Sequence, residues 1–384
     1  MILKDDRLLI KIISFWFAKL YDFWLFIGDV FSIHLNKKHI KSKQEYEGAL
    51  PQSDAPSRIA VVAIYPSDES VIFTKNLLGA LVENKFYVLV VSTRTMNAKQ
   101  RDVLIPCCNY LIERHNIGQD FGSYKHGLDW LEKNGNKLET ADLLTLANDS
   151  MFYPQCFNET VRSMVNCKET WQCLFENFHL YHHAQSFFLL FRKEIFQQLK
   201  VFWAQYVPYT SRIHAIHQGE IGMTKALKKQ GFFPHAYYRS VIVVDAINNI
   251  IKKQLVELKH GHINRENIVD FMNLVIESHG GLPNKKPSLY TLNLFIERAL
   301  VSISRMMNHM NPTHAVGLII ARAMNAPIKR DCCYRASYDL VSVLNHVGGF
   351  NEEELAMMEK DLRKKGTGSG VSGWRRLLYA RGRI

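Results

Sequence analysis

Apolar positions along the chain fall into short blocks separated by polar turns, and the blocks differ in period. Residues 59–64 (Ile-Ala-Val-Val-Ala-Ile) and 87–91 (Tyr-Val-Leu-Val-Val) are continuous apolar runs of strand length. A run without polar alternation predicts a strand covered on both faces, as in a parallel sheet. Between them, residues 70–84 repeat at helical spacing. Residues 105–112 predict a third strand, 123–133 a helix with Leu128 and Leu131 on one face, and 143–147 a fourth strand. Strand and helix in alternation predict an α/β layer, a Rossmann-type, mostly parallel sheet flanked by helices. Residues 182–197 read as a strand running into a helix start. From residue 267 onward the period is helical, over 268–278, 288–307, 315–324, 334–345 and 352–364.

The two ends follow a different pattern. In residues 7–35, Lys11, Ala18, Asp22 and Asp29 fall on one narrow helical stripe, while Phe15, Trp16, Phe23, Trp24 and Phe26 make a broad apolar face. Charges interrupt every run before the ~20 apolar residues that a membrane span needs. The pattern predicts an amphipathic helix for a membrane interface, for a protein groove, or for packing within the chain. A polar linker follows, to about Pro56. Residues 366–373 read as a Gly/Ser linker, and 374–383 as a basic tail with aromatic and aliphatic anchors, suited to an anionic membrane or to a solvated terminus. The predicted organisation is therefore an N-terminal helix and linker (1–56), a sheet-containing domain (57–262), a helical C-terminal region (263–365), and a linker with a basic tail (366–384).

Ligands of open α/β sheets sit at the carboxyl ends of the strands. Four segments there carry polar chemistry: Tyr65 to Asp68, Ser92 to Arg94, Arg114 to Asp120, and Asn148-Asp149-Ser150. In Arg114-x-Asn116-x-Gly118-x-Asp120-x-Gly122-x-Tyr124, two glycines flank an acid where strand must turn into helix. Such a turn is either an ordinary βα connection or an anion site, with Arg114 offering a donor fork to a diphosphate and Asp120 accepting from a sugar hydroxyl. Asp149 is either a cation ligand or part of an Asx turn. Glu220, opening the segment 220–232, is either a helix-capping acid or a general base.

Composition narrows the classes. At 47% hydrophobic residues the chain is not disordered, and a net charge of +12 points to an anionic partner. Seven cysteines without a CxxC spacing form neither a zinc set nor a disulfide framework. The lysines are dispersed and no nucleic-acid motif occurs, so nucleic acid is not the expected partner.

Five ordered blocks together resemble the rhamnan synthesis protein F family of bacterial polysaccharide glycosyltransferases. They are the Arg114–Tyr124 motif; Asn148-Asp149-Ser150 with Pro154; Gln185-Ser186-Phe187-Phe188; Glu220-x-Gly222 with Gly231-Phe232; and Asn311-Pro-Thr-His314 with Pro327-Ile-Lys329-Arg330. The resemblance covers roughly residues 59–340 and implies a GT-A-like fold. It implies transfer of L-rhamnose from dTDP-L-rhamnose to a lipid-linked oligosaccharide, with inversion, on the inner face of the cytoplasmic membrane and beside other polysaccharide-synthesis enzymes. Glu220 would be the base, with Asp120 the other catalytic carboxylate. Tyr65, Arg94, Arg114, Asn116, Gly118, Asp120, Tyr124, Asn148, Asp149, Gln185, Ser186, His314, Lys329 and Arg330 would hold the donor. Asp149 takes the place of a metal-binding acid for Mg2+ or Mn2+, but its motif is Asn-Asp-Ser, one carboxylate short. That departure leaves open a non-catalytic, glycan- or partner-binding subunit.

Overall fold

The computed structural model describes residues 3–35, 38, 41–259, 265–278, 280 and 289–383. Its centre is one mixed sheet of eight strands: β1 (Ser42–Glu47), β2 (Arg58–Ile64), β3 (Tyr87–Ser92), β4 (Tyr110–Arg114), β5 (Leu143–Asn148), β6 (Trp171–Cys173), β7 (Phe188–Arg192) and β8 (His235–Ala236). The spatial order is β1-β4-β3-β2-β5-β7-β6-β8. Strands β4, β3, β2 and β5 are parallel neighbours. β7 runs against both β5 and β6, so β6 and its parallel neighbour β8 rejoin the majority direction. Only β1, at the edge, and β7 are reversed.

The continuous apolar runs are buried on both faces because helices cover both. Ala60, Val62, Val88 and Val90 pack with Leu77 and Leu81 of helix Val71–Glu83 and with Ile247 and Ile303 of the C-terminal helices. Ile59, Val61, Leu89 and Val91 face the opposite way, onto Tyr124, Leu128 and Leu131. Four helices recur below: α1 (Leu3–Val30), α2 (Gln119–Lys133), α3 (Ile221–Lys229) and α4 (Gly373–Ala380).

Several expectations shift. The expected polar linker contains β1, which pairs antiparallel with β4. An edge strand with one wet face carries no apolar run, so its sequence reads as linker. The third strand begins at Tyr110 instead of 105, because Ile105–Cys107 is a 3-10 turn around Pro106, which has no N–H to give a ladder. Helix α2 begins four residues earlier than the apolar spacing suggests, at Gln119. The helix expected from 334 begins at Leu340, where the Asp339 side chain accepts from the Ser342 N–H and caps it. The domain boundary expected at 262/263 and the helix start expected at 288 lie outside the described residues.

The N-terminal helix is turned the opposite way from a water-facing amphipathic helix. Ser14, Ala18 and Asp29 are buried against the protein, while Trp16 and Trp24 are 66% and 63% exposed. Among the described residues no helix is long and apolar enough to cross a membrane.

Candidate active site

The turn after β4 is built on buried charge. Gly118 has φ +76°, and a Cβ there would collide with Pro208, so glycine is required on both counts. Arg114 lies fully buried beneath the turn. Its Nη2 donates to the Ile117 carbonyl at 2.9 Å and its Nη1 to Ser123 Oγ at 3.3 Å. A Cβ on Gly122 would strike the Ile117 carbonyl oxygen and approach Arg114. The arginine therefore pins strand to helix and has no surface to offer a diphosphate, which corrects the expectation from its sequence context. Burial pulls its pKa down to about 10, still protonated at neutral pH.

The pinned turn sets Asp120 in the first turn of α2. Asn148, at the end of β5, donates from its amide to Asp120 Oδ2 at 3.0 Å, to Tyr124 Oη at 3.2 Å and to the Ser186 carbonyl at 3.2 Å. Tyr124 itself donates to that same carbonyl at 2.9 Å. The side-chain oxygen of Asn148 accepts from Ser150 N–H at 3.1 Å, so the Asn-x-Ser pair closes an Asx turn. Burial first, then the negative charge of Asp149, pushes Asp120 up to about 7.

Glu220 comes from the other side. It ends a π-helical turn, Ala215–Glu220, that runs directly into α3, so it is not the free helix-capping acid its sequence position suggests. The Ser186 N–H and hydroxyl both donate to Glu220 Oε1, at 3.0 and 2.6 Å, and His183 Nε2 lies 3.7 Å from Oε2. His183 Nδ1 sits 2.6 Å from the Tyr181 carbonyl, which places the ring proton on Nδ1 and leaves Nε2 toward the acid. Gln185 Nε2 donates to Asn311 Oδ1 at 3.2 Å, while its buried Oε1 has no hydrogen-bond partner.

The third wall is a two-residue ladder, Ile328–Lys329 against Met151–Phe152, that carries Lys329 to the end of the sheet. Lys329 Nζ lies 3.8 Å from the Phe187 ring centroid, and burial holds its pKa down. Asp120, Gln185, Ser186, Glu220, His314 and Lys329 all line one cavity of about 430 Å³, together with His183, Arg212, Asp331, Arg335 and Lys365. Four cations, Arg212, Lys329, Arg335 and Lys365, thus share a space of ligand size with three acids, Asp120, Glu220 and Asp331. Burial works against Asp331 ionising, but Lys329, His314, Arg212 and Arg335 hold it at about 2. Burial lowers His314 to about 4 and Lys365 to about 8.

Other expected residues lie apart. Arg330 is buried and bidentate to Asp361, at 2.9 and 3.1 Å, and donates to the Asp149 carbonyl at 3.0 Å. Asp149 Oδ2 accepts from the Tyr65 N–H at 2.9 Å and lies 3.5 Å from the Arg330 guanidinium. Burial pushes Asp149 up despite Arg330. Tyr65 and Arg94 stack on each other at the ends of β2 and β3, 5.6 Å apart, and Asn116 is exposed. Asp149 thus meets a guanidinium where a dication would sit, and among the described residues no three His, Cys, Asp or Glu side chains could hold a metal together. The residues do not fit the expected Mg2+ or Mn2+ site.

No motif or spacing marks Arg212, Arg335 or Lys365. Arg212 and Arg335 are single basic residues and Lys365 ends the run Arg363-Lys364-Lys365; only the folded chain gathers the three. His183 was visible as a polar residue before β7, without a partner to give it meaning.

Fold and site define an α/β protein with an acid-and-cation cleft at the carboxyl edge of its sheet. The family model described as rhamnan synthesis protein F matches residues 88–257, the segment that supplies the Arg114–Tyr124 turn, Asn148, Ser186 and Glu220. Uncharacterized protein y4gN of Sinorhizobium fredii is 25% identical over 295 residues, which are 74% of this chain and 73% of that protein. Among solved structures, a mannosyltransferase of Pyrobaculum calidifontis, in complex with GDP-Man and Mn2+, superposes with a TM-score of 0.30 at 10% identity, covering 77% of this chain and 86% of that one. A superposition that loose carries no weight, and the fold rests on the sheet order itself.

Proposed function

We propose that the chain is a glycosyltransferase of bacterial cell-surface polysaccharide synthesis, of the rhamnan or O-antigen type, with a GT-A-like catalytic domain over residues 57–262 completed by the helices of 263–365. Its donor is dTDP-L-rhamnose and its acceptor a lipid-linked oligosaccharide at the cytoplasmic face of the membrane, among other enzymes of the same assembly. One observation carries the reading: two carboxylates, Asp120 and Glu220, face Arg212, Lys329, Arg335 and Lys365 across one cavity of about 430 Å³.

The acceptor hydroxyl attacks the anomeric carbon, its proton passes to Glu220, and the bond to the diphosphate breaks with the electron pair leaving on the nucleotide. Ser186 fixes the Glu220 carboxylate through two hydrogen bonds. The cations stabilise the charge that grows on the departing diphosphate. Asp120, held by Asn148, and the free Oε1 of Gln185 take donors from the sugar. Attack opposite the leaving group inverts the anomeric centre. No step is routed through a metal, because Arg330 already faces Asp149.

A ligand that binds only the folded chain raises its melting temperature. A panel of dTDP-, UDP- and GDP-sugars, each with and without Mn2+, is expected to give the largest shift with dTDP-L-rhamnose, independent of Mn2+. A flat response to every nucleotide-sugar would overturn the reading, and a shift that requires Mn2+ would overturn the metal-free mechanism.

A further inference from the structure

The two ends of the chain meet. The Phe17 and Trp374 ring centroids are 6.2 Å apart, Arg383 pairs with Asp22 at 2.7 Å, and Arg381 donates to Ser14 Oγ at 3.0 Å and to the Lys11 carbonyl at 2.6 Å. The inner side of this pair of helices is tied to the cleft. Thr210 donates its N–H and hydroxyl to Asp29, at 2.7 and 2.5 Å, and its carbonyl accepts from Gln119, the neighbour of Asp120, at 2.9 Å. Arg212, a cleft cation, donates to the Gly382 carbonyl at 3.1 Å.

The outer side is apolar and basic. Trp16, Leu20, Phe23 and Trp24 are more than half exposed. Both acids among the described side chains of α1 turn inward, Asp22 to Arg383 and Asp29 to Thr210. Every exposed charge among the described side chains of α1 and α4 is positive: Lys11, Lys19, Arg375 and Arg376.

We infer that α1 and α4 form one plate that lies on an anionic lipid surface and whose inner side braces the 208–214 wall of the cleft. A second copy is the poorer occupant. A two-fold contact sets each patch against itself, and here it would bring cations against cations with no exposed acid among the described side chains of α1 and α4 to answer them. Anionic headgroups answer them directly, while tryptophan settles at headgroup depth. This goes beyond the proposed reaction, and vesicle binding needs no donor, so the two fail separately.

The full chain is expected to co-float with vesicles of phosphatidylcholine containing phosphatidylglycerol, less so as salt rises, and not with phosphatidylcholine alone. Trp16→Glu with Trp24→Glu should abolish flotation at unchanged far-UV circular dichroism. Arg375→Ala with Arg376→Ala, which leaves the apolar strip whole, should weaken it about 25-fold, at about fivefold per cation. Vesicles should slow amide exchange over 208–214. Equal binding to both lipid mixtures, flotation retained by the tryptophan variant, or a discrete dimer that this variant dissolves would overturn the plate. Unchanged exchange over 208–214 would overturn the bracing.

Discussion

Asp120→Asn should make the protein more stable, and only above a defined pH. The side chain is half-buried at the cavity wall, donated to by Asn148, and faced by Asp149, Glu220 and Lys329; loss of solvent dominates and its pKa rises from 3.8 to about 7. Between those values the folded protein keeps a proton that the unfolded chain has released. Stability therefore falls as pH rises from about 4 to about 7, then levels off. At 1.36 kcal/mol for each tenfold change in proton affinity, the full penalty is at most about 4 kcal/mol. Asparagine presents the same oxygen to Asn148 and ionises at no pH, so the variant escapes the penalty. For 384 residues the unfolding entropy is about 0.8 kcal/mol per kelvin, so the melting temperatures should separate by about 5 °C at pH 8 and coincide near pH 4. Calorimetry of both proteins across that range tests it. A difference that stays constant with pH would refute the reasoning, because it would mean Asp120 binds its proton no more tightly in the folded protein than in the unfolded chain.

Glu220→Gln keeps an oxygen for the Ser186 donors but cannot take the acceptor proton; transfer should fall about 10²–10⁴-fold while donor affinity, read by thermal shift, stays near normal. Near-normal transfer would move the base role to Asp120, whose pKa of about 7 suits it. Arg114→Ala should act on stability, by on the order of 3 kcal/mol in denaturant titration, since two charge-assisted bonds inside the turn are lost; an unchanged midpoint with weakened donor binding would restore its ligand role. Gly118→Ala should cost at least about 2 kcal/mol by the same titration, from the left-handed φ and the collision with Pro208.

Much of the layer was legible because local physics fixes it. The runs at 59–64, 87–91 and 143–147 are strands because they are covered on both faces, and uninterrupted apolar sequence is what such coverage demands. Glycine at 118 and an acid at 120 marked the βα turn for the same local reason. Charge direction was not legible. Arg114 and Arg330 look alike as basic residues in polar motifs, yet one pins a turn, the other joins Asp149 to Asp361, and only Lys329 reaches the cavity. Which way a side chain points depends on partners distant in sequence. The N-terminal helix makes the same point. Its stripe could be read from spacing, but the chain alone could not say that Ala18, Asp22 and Asp29 turn inward while Lys11 stays exposed. That was decided by half-buried Asp22 meeting Arg383 and buried Asp29 meeting Thr210, across 361 and 181 residues, because an acid turned from water must find its donors wherever the fold supplies them.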